Sequence, residues 1–267
     1  MPPDLERVSA YIRETAEADI MPRFRKLAAH EVIEKKPGDV VTIADREAEA
    51  RLTRMLTGLT PGALVVGEEA THNDPSVLRR LDDDGPLWII DPVDGTANFA
   101  AGKPLFAVMV AYVVGGVAQA GWIYDPVREL MAVAVRGEGA EIDGKPLRVP
   151  ERAPDDSVCG RVNFGSFDDP RRTVLRARFR EAFTIEKSLR CAGQEFLALA
   201  QGHYQFRLYN ELWAWDHAPG VLLLREAGGQ VDRVDDAPYR PNERTRALLC
   251  AGSPALWTTL SDLMRAD

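Results

Sequence analysis

The chain has 267 residues, 45% of them hydrophobic and 28% charged, an ordinary globular balance that suits one large domain or two joined halves. Asp and Glu outnumber Lys and Arg by 41 to 33, a net charge of −8, which excludes the basic face needed to bind a nucleic-acid polymer and gives no attraction to an anionic membrane. The longest apolar stretch, Leu105 to Val114, falls short of the roughly 20 residues that cross a bilayer, and Met1-Pro2-Pro3-Asp4 lacks a basic n-region, so neither a span nor a signal peptide is expected.

In chain order, apolar side chains at Leu5, Val8, Ile12, Ala16, Ile20, Phe24 and Leu27 predict one helix face over residues 4–29, kinked or divided at Pro22. Asp39 to Ile43 is a short β-branched run. A second helix is predicted from about Asp45, with Ala48, Leu52, Met55 and Leu56 inward and a stop at Gly58. Ala63 to Val66 and Leu87 to Ile90 read as buried strands, the first ending in Gly67-Glu68-Glu69 and the second in Asp91. From Leu105 to Val149, apolar runs broken by Gly115-Gly116, Asp125-Pro126, Gly137-Glu138-Gly139 and Asp143-Gly144 predict an antiparallel meander. Beyond Pro150 strands and helices alternate. Strands are expected over 158–164 and 184–189, and helices over 171–183, 194–200, 216–227 and 254–264. The polar stretch Glu151 to Asp156 is the best boundary candidate. It divides residues 1–150, an α+β half, from 151–267, an α/β half, within one compact unit. Cys159, Cys191 and Cys250 are odd in number and far apart, which indicates free thiols in a reducing cytosol and not a disulfide framework or a CxxC metal motif.

Three acidic signals each follow or open a regular element: Gly67-Glu68-Glu69, Asp91-Pro92-Val93-Asp94-Gly95-Thr96, and Trp213-Ala214-Trp215-Asp216. Carboxylates placed after apolar strands are costly without cations or hydrogen-bond donors. Mg²⁺ prefers such oxygen ligands, so the three signals can converge on one or more Mg²⁺ ions. His217 is the one histidine within these motifs; His30, His72 and His203 have no ligand spacing, so zinc is not expected. Pro92 holds Asp91 extended, so that Asp91 and Asp94 can face a common point with the Val93 carbonyl between them. Gly95 allows close backbone approach, and the Thr96 hydroxyl sits where a water could be oriented. Taken singly, each signal has a plainer reading. Asp91 to Gly95 would be a surface turn, Glu68-Glu69 solvated charge, and Asp216 a helix N-cap. Their joint occurrence favours a site.

On these residues the sequence resembles the inositol monophosphatase family of Mg²⁺-dependent, often lithium-sensitive phosphatases. The matching segments are Asp39 to Asp45, Gly67-Glu68-Glu69, Trp88 to Phe99, Trp215 to Gly220 and Glu226-Ala227-Gly228-Gly229, in order across nearly the whole chain. The resemblance implies a layered α-β-α-β-α sandwich of the sugar-phosphatase type and a cytoplasmic homodimer. It implies two or three Mg²⁺ ions held by Glu68, Asp91, the Val93 carbonyl, Asp94 and Asp216. It gives Glu68, and Thr96 paired with Asp45, the task of orienting water, and the Gly95 and Thr96 amides that of holding phosphate. The partner implied is a small phosphomonoester such as inositol 1-phosphate. The match loosens at the substrate pocket. Where the family often carries an acid seven residues before its last metal ligand, this chain has Tyr209, with Glu211 two residues later. After Gly193 come Gln194 and Glu195, a large polar pair that could read hydroxyls or an amine on the leaving group, or cap the helix start. Histidinol phosphate, fructose 1,6-bisphosphate and nucleotide 3′-phosphates are therefore alternative substrates, and a non-catalytic family member is an alternative function. The haloacid-dehalogenase motif Asp-x-Asp-Gly-Thr is broken here by the Asp91-x-x-Asp94 spacing.

Overall fold

Two-fold alternation along the strands decides which layer each side chain joins. The computed structural model describes residues 3–36, 39–151, 157–165, 167–235, 237–243 and 247–265. The elements run α1 (Leu5–Thr15), β1 (Val32–Lys36), β2 (Asp39–Thr42), α2 (Ile43–Leu59), β3 (Leu64–Gly67), α3 (Glu68–Asn73), β4 (Leu87–Asp94), α4 (Thr96–Ala100), β5 (Ala107–Val114), β6 (Val117–Asp125), β7 (Leu130–Val135), β8 (Gly139–Ile142) and β9 (Lys145–Leu147). They continue as β10 (Cys159–Val162), α5 (Asp169–Ala182), β11 (Thr184–Glu186), α6 (Ala192–Ala200), β12 (Phe206–Tyr209), α7 (Ala214–Glu226), β13 (Gln230–Arg233), β14 (Leu248–Ala251) and α8 (Pro254–Arg265).

Strands β3 to β9 form a seven-stranded sheet in sequence order, antiparallel apart from the parallel β3–β4 pair. A five-stranded mixed sheet has the order β11-β10-β12-β14-β13. On β4, Trp88 and Ile90 pack with Val8 and Ile12 of α1 and with Leu52 and Leu56 of α2, whereas Leu87 and Ile89 join the core formed by α6 and α7. On β14, Leu248 and Cys250 meet that same middle core, and Leu249 and Ala251 face Leu175 of α5 and Leu260 of α8. The layers are therefore α1/α2, the large sheet, α6/α7, the small sheet, and α5/α8, which is the expected α-β-α-β-α sandwich.

The expected antiparallel meander is present as β5 to β9. The long first helix is not continuous. It ends at Thr15, gives way to a π-helical turn over Ala16–Ile20, and closes with the Met21 amide donating to the Ala16 carbonyl. Pro22 has no amide to donate, and its ring would press on the carbonyl four residues back. Strand β1, of five residues, went unpredicted, as did three strands of the small sheet, β12, β13 and β14, each four residues long. The strands of the small sheet lack a simple period because that sheet is covered on both faces and because β12 and β13 carry Arg207, Asp232 and Arg233 among apolar residues. The boundary expected over 151–156 lies, from residue 152 onward, outside the described residues. The last strand of the large sheet ends at Leu147 and the first of the small sheet begins at Cys159, with α6 and α7 packed between them.

Packing in that middle layer relies on one glycine. A Cβ on Gly220 of α7 would lie 2.0 Å from Cδ2 of Phe196 on α6. Gly220→Ala is expected to lower the unfolding free energy by about 1–3 kcal/mol in urea titration. The same change at Gly58 of α2, where a Cβ meets nothing within 4 Å, is expected to be neutral or stabilising by roughly 0.5–1 kcal/mol.

Candidate active site

Strand β4 delivers two carboxylates to one side of the large sheet, which strict alternation forbids for residues three apart. The register with β5 explains how: Asp91 pairs with Met109 and Asp94 with Ala107, so three steps on β4 face two on β5. This bulge falls at Pro92-Val93, turns Asp94 back to the face of Asp91, and aims both at α6 and α7. The plain reading of this run as a surface turn is corrected by burial, because Asp91, Pro92, Val93 and Asp94 are all buried. Asp216 comes from the first turn of α7. It is not the N-cap, a position that Trp213 occupies.

Carboxylate oxygens of Asp91, Asp94 and Asp216 lie within 4.8 Å of one another. Burial pushes Asp91 and Asp216 well above the ordinary carboxylate range, and neighbouring charges, including Glu68 beside both, add to the shift. Asp94 is raised by burial too, but donors hold it back. Its Oδ2 accepts from the Gly193 amide at 2.5 Å and from the Cys191 thiol at 3.0 Å. Gly193 permits this approach, since a Cβ there would sit 2.9 Å from Ala107 Cβ. Among the side chains the structure describes, no Lys or Arg lies within ion-pair distance of Asp91, Asp94 or Asp216. An all-oxygen group of crowded carboxylates without a side-chain counter-charge fits a hard divalent cation.

Glu68 opens α3, which follows β3 directly beside β4. The start of α3 is fixed by the Glu49 carboxylate, which accepts from the amides of Glu69 and Ala70 at 2.8 Å each. A Cβ on Gly67 would lie 2.3 Å from that carboxylate's Cδ, so glycine is needed for the cap to reach. Asp45 is the third residue of α2 and forms a capping box with Thr42, accepting from the Thr42 amide at 2.8 Å and its hydroxyl at 2.5 Å. Its other oxygen is 3.0 Å from the Thr96 hydroxyl, which is also 3.0 Å from the Val93 carbonyl. Burial, opposed by the Thr42 hydroxyl and helped by Glu69, raises Asp45 to about 6. Gly95 takes φ +87 between β4 and α4, and a Cβ there would meet the Leu105 carbonyl at 2.9 Å.

The residues expected to read the leaving group separate. Glu211 is exposed in the loop before α7, close enough to raise Asp216. Gln194 is buried, donating to the Phe106 carbonyl and to Asp125. Glu195 is 1% exposed and ion-paired with Arg207. This differs from the expectation that the pair after Gly193 faces a substrate. Both lie in the first turn of α6, which packs inward against the middle core. His217 also lies apart from the carboxylates. Its Nδ1 donates to the Trp213 carbonyl, burial lowers it to about 4, and its ring meets Tyr209 edge to face. Sequence reasoning missed Glu49 and Cys191. Glu49 sits one turn after Asp45 on the inward stripe of α2, and an acid repeated on an apolar stripe is the signal that could have found it.

The family model for the inositol monophosphatase family matches residues 5–263. The chain belongs to this family. An inositol-1-monophosphatase of Mesorhizobium japonicum is 37% identical over 207 residues, covering 75% of this chain and 74% of its own. A Nus factor SuhB of Pseudomonas aeruginosa is 34% identical over 216 residues, 78% of each chain. The fold is that of a Thermotoga maritima inositol monophosphatase, with a TM-score of 0.80, 24% identity, and 97% and 96% of the two chains covered.

The raised carboxylates set a pH signature. A carboxyl whose folded pKa lies above its ordinary value contributes stability below that ordinary value and loses it as pH rises through the folded pKa. For Asp45 this window runs from about 3.8 to about 6. The same direction holds for Asp91, Asp94 and Asp216. A bound divalent cation requires the ionised forms. The gain in melting temperature on adding Mg²⁺ is therefore expected to be larger at about pH 7.5 than at about pH 5. Differential scanning fluorimetry checks this, and a larger gain at the lower pH would contradict it.

Proposed function

We propose that this chain is a Mg²⁺-dependent phosphomonoesterase hydrolysing a small phosphorylated polyol such as inositol 1-phosphate. The observation that carries this reading is the convergence of buried Asp91 and Asp94 with partly buried Asp216, with the Thr96–Asp45 hydrogen bond on the same strand-to-helix turn. Glu68, Asp91, the Val93 carbonyl, Asp94 and Asp216 would hold two or three Mg²⁺ ions. When bound, these supply positive charge that eases ionisation of water and offsets charge on the phosphoryl oxygens.

The protein's own groups orient the reaction. The Thr96 hydroxyl has one proton and two acceptors within 3.0 Å. With that proton given to Asp45, its lone pairs are left to accept from an attacking water, alongside the Glu68 carboxylate. Asp45, raised to about 6, can take up a proton near neutral pH. The water oxygen forms a bond to phosphorus as the bond to the leaving oxygen breaks, and that oxygen takes up a proton. The Gly95 and Thr96 amides would bind the phosphoryl oxygens. Asp91→Asn is expected to cost more than the roughly 10–100-fold that follows loss of an outer-shell partner. Thr96→Ala is expected to lower kcat by about 10²–10⁴-fold while Mg²⁺ binding, followed by calorimetry, persists.

With Glu195 neutralised by Arg207, Glu211 is the acid left to face a leaving group. A hydrogen bond to a charged group contributes about 1.5–3 kcal/mol, so Glu211→Gln is expected to raise KM by roughly tenfold or more with little change in kcat. An effect confined to histidinol phosphate would identify an amine-bearing substrate; equal effects on inositol 1-phosphate would identify a polyol. The deciding experiment is a panel of these two with fructose 1,6-bisphosphate and a nucleotide 3′-phosphate, run with and without Mg²⁺ and Li⁺. No turnover on any of them would favour the non-catalytic reading, which the likeness to a Nus factor supports. The family resemblance further suggests a cytoplasmic homodimer, which sedimentation tests for assembly. Among the described residues no helix is long and apolar enough to cross a membrane.

A further inference from the structure

Arg207 and Glu195 form a buried ion pair well inside the small-sheet side of the middle layer, and the phosphatase reading above leaves it without a task. Arg207 on β12 is 6% exposed and Glu195 on α6 is 1% exposed. Burying two charges is costly, and an apolar pair of similar size would often be at least as stable. The pair is therefore poorly explained by stability alone.

Its hydrogen bonds lead to Asp94. One Glu195 oxygen accepts from Arg207 Nε, and the other accepts from the Ser188 hydroxyl and the Leu189 amide, each at 2.8 Å. The Ser188 hydroxyl in turn accepts from the Arg190 amide at 3.0 Å. These bonds hold Arg190 at φ +58, a left-handed conformation that a non-glycine residue seldom adopts without support. The turn then presents the Leu189 carbonyl to the Asn98 side-chain Nδ2, which donates to it at 2.9 Å and ties it to α4. Immediately after it, Cys191 and Gly193 donate to the Asp94 carboxylate. Arg207 is itself fixed by donating to the Leu208 carbonyl at 2.8 Å and by lying 4.4 Å over the Tyr209 ring.

We infer that Glu195, Arg207 and Ser188 are positioning residues that set the 188–191 turn and so aim Asp94 for metal binding. This rests on the reading of Asp94 as a metal ligand. It assigns residues from the small sheet a part in a site whose acids come from β4 and α7. Outer-shell partners of metal ligands typically change metal affinity by 10–100-fold when removed.

The test follows Mn²⁺ binding by electron paramagnetic resonance and Mg²⁺ binding by calorimetry on the full chain, with kcat and KM alongside. Ser188 is exposed, so Ser188→Ala removes the hydroxyl relay without opening a core. It is expected to weaken cation binding by roughly tenfold while the metal-free melting temperature stays unchanged. Glu195→Gln and Arg207→Met are expected to weaken binding at least as much, and Arg207→Lys to recover most of it. If the single charge-removing variants do not fold, the Ser188→Ala result decides. Wild-type affinity in folded Ser188→Ala overturns the inference, as does wild-type affinity in a folded Glu195→Gln/Arg207→Met double variant. Failure of the wild-type chain itself to bind Mn²⁺ or Mg²⁺ would instead overturn the metal-site reading on which the inference rests.

Discussion

Three carboxylates held within 4.8 Å of each other, two buried and the third, Asp216, partly buried, and without an ammonium or guanidinium of the described side chains against them, are the condition the surrounding structure has to satisfy. Left to themselves they would separate or take up protons. Each is instead fixed from a different direction. Asp91 accepts from the Val93 amide within its own bulge. Asp94 is gripped by the first turn of α6. Asp216 is carried by α7, whose apolar residues fasten it between the two sheets. The outer acids follow the same pattern, with Asp45 in a capping box and Glu68 on a helix started by Glu49. Apolar burial in three separate cores supplies the stability that the acids oppose.

A consequence is that the site has no single scaffold element. The first layer supplies Asp45 and the Glu49 cap from α2. The large sheet supplies Asp91 and Asp94, and the middle helices supply Asp216 and the donors to Asp94. Because side chains in packed interiors transmit displacements of even one methylene, residues as remote in sequence as Gly67 and Gly193 have their identity set by how closely a carboxylate must approach them.

Much of this was legible in the sequence. Apolar runs ending in acids marked β3 and β4, and turn residues marked the meander, because both signals are local. The layered sandwich came from the family resemblance and agrees with the packing. What was not legible depended on contacts between distant segments. The bulge that puts Asp94 on the face of Asp91 is a register property of two strands. The commitment of Glu195 to Arg207 depends on β12, a four-residue strand whose central arginine hides its pattern. Gln194 likewise reads as an open polar residue until α6 is seen to turn it toward Asp125. Polar residues beside a recognised motif invite a ligand-facing reading; here α6 directs two of them into the protein.

The middle layer has one further property. Helix α7 has thirteen residues and buries ten, including the consecutive run Val221 to Leu224. A helix on a protein's surface keeps an outward face where substitutions are absorbed by solvent. Helix α7 has almost none, since one side meets the large sheet and the other the small sheet. Its sequence can therefore drift only by compensated exchange with neighbours from both sheets at once. The segment that carries Asp216 is accordingly, like the fully buried β4, a part of the chain with little freedom to vary one residue at a time, and the exposed turns of the meander are where variation can accumulate.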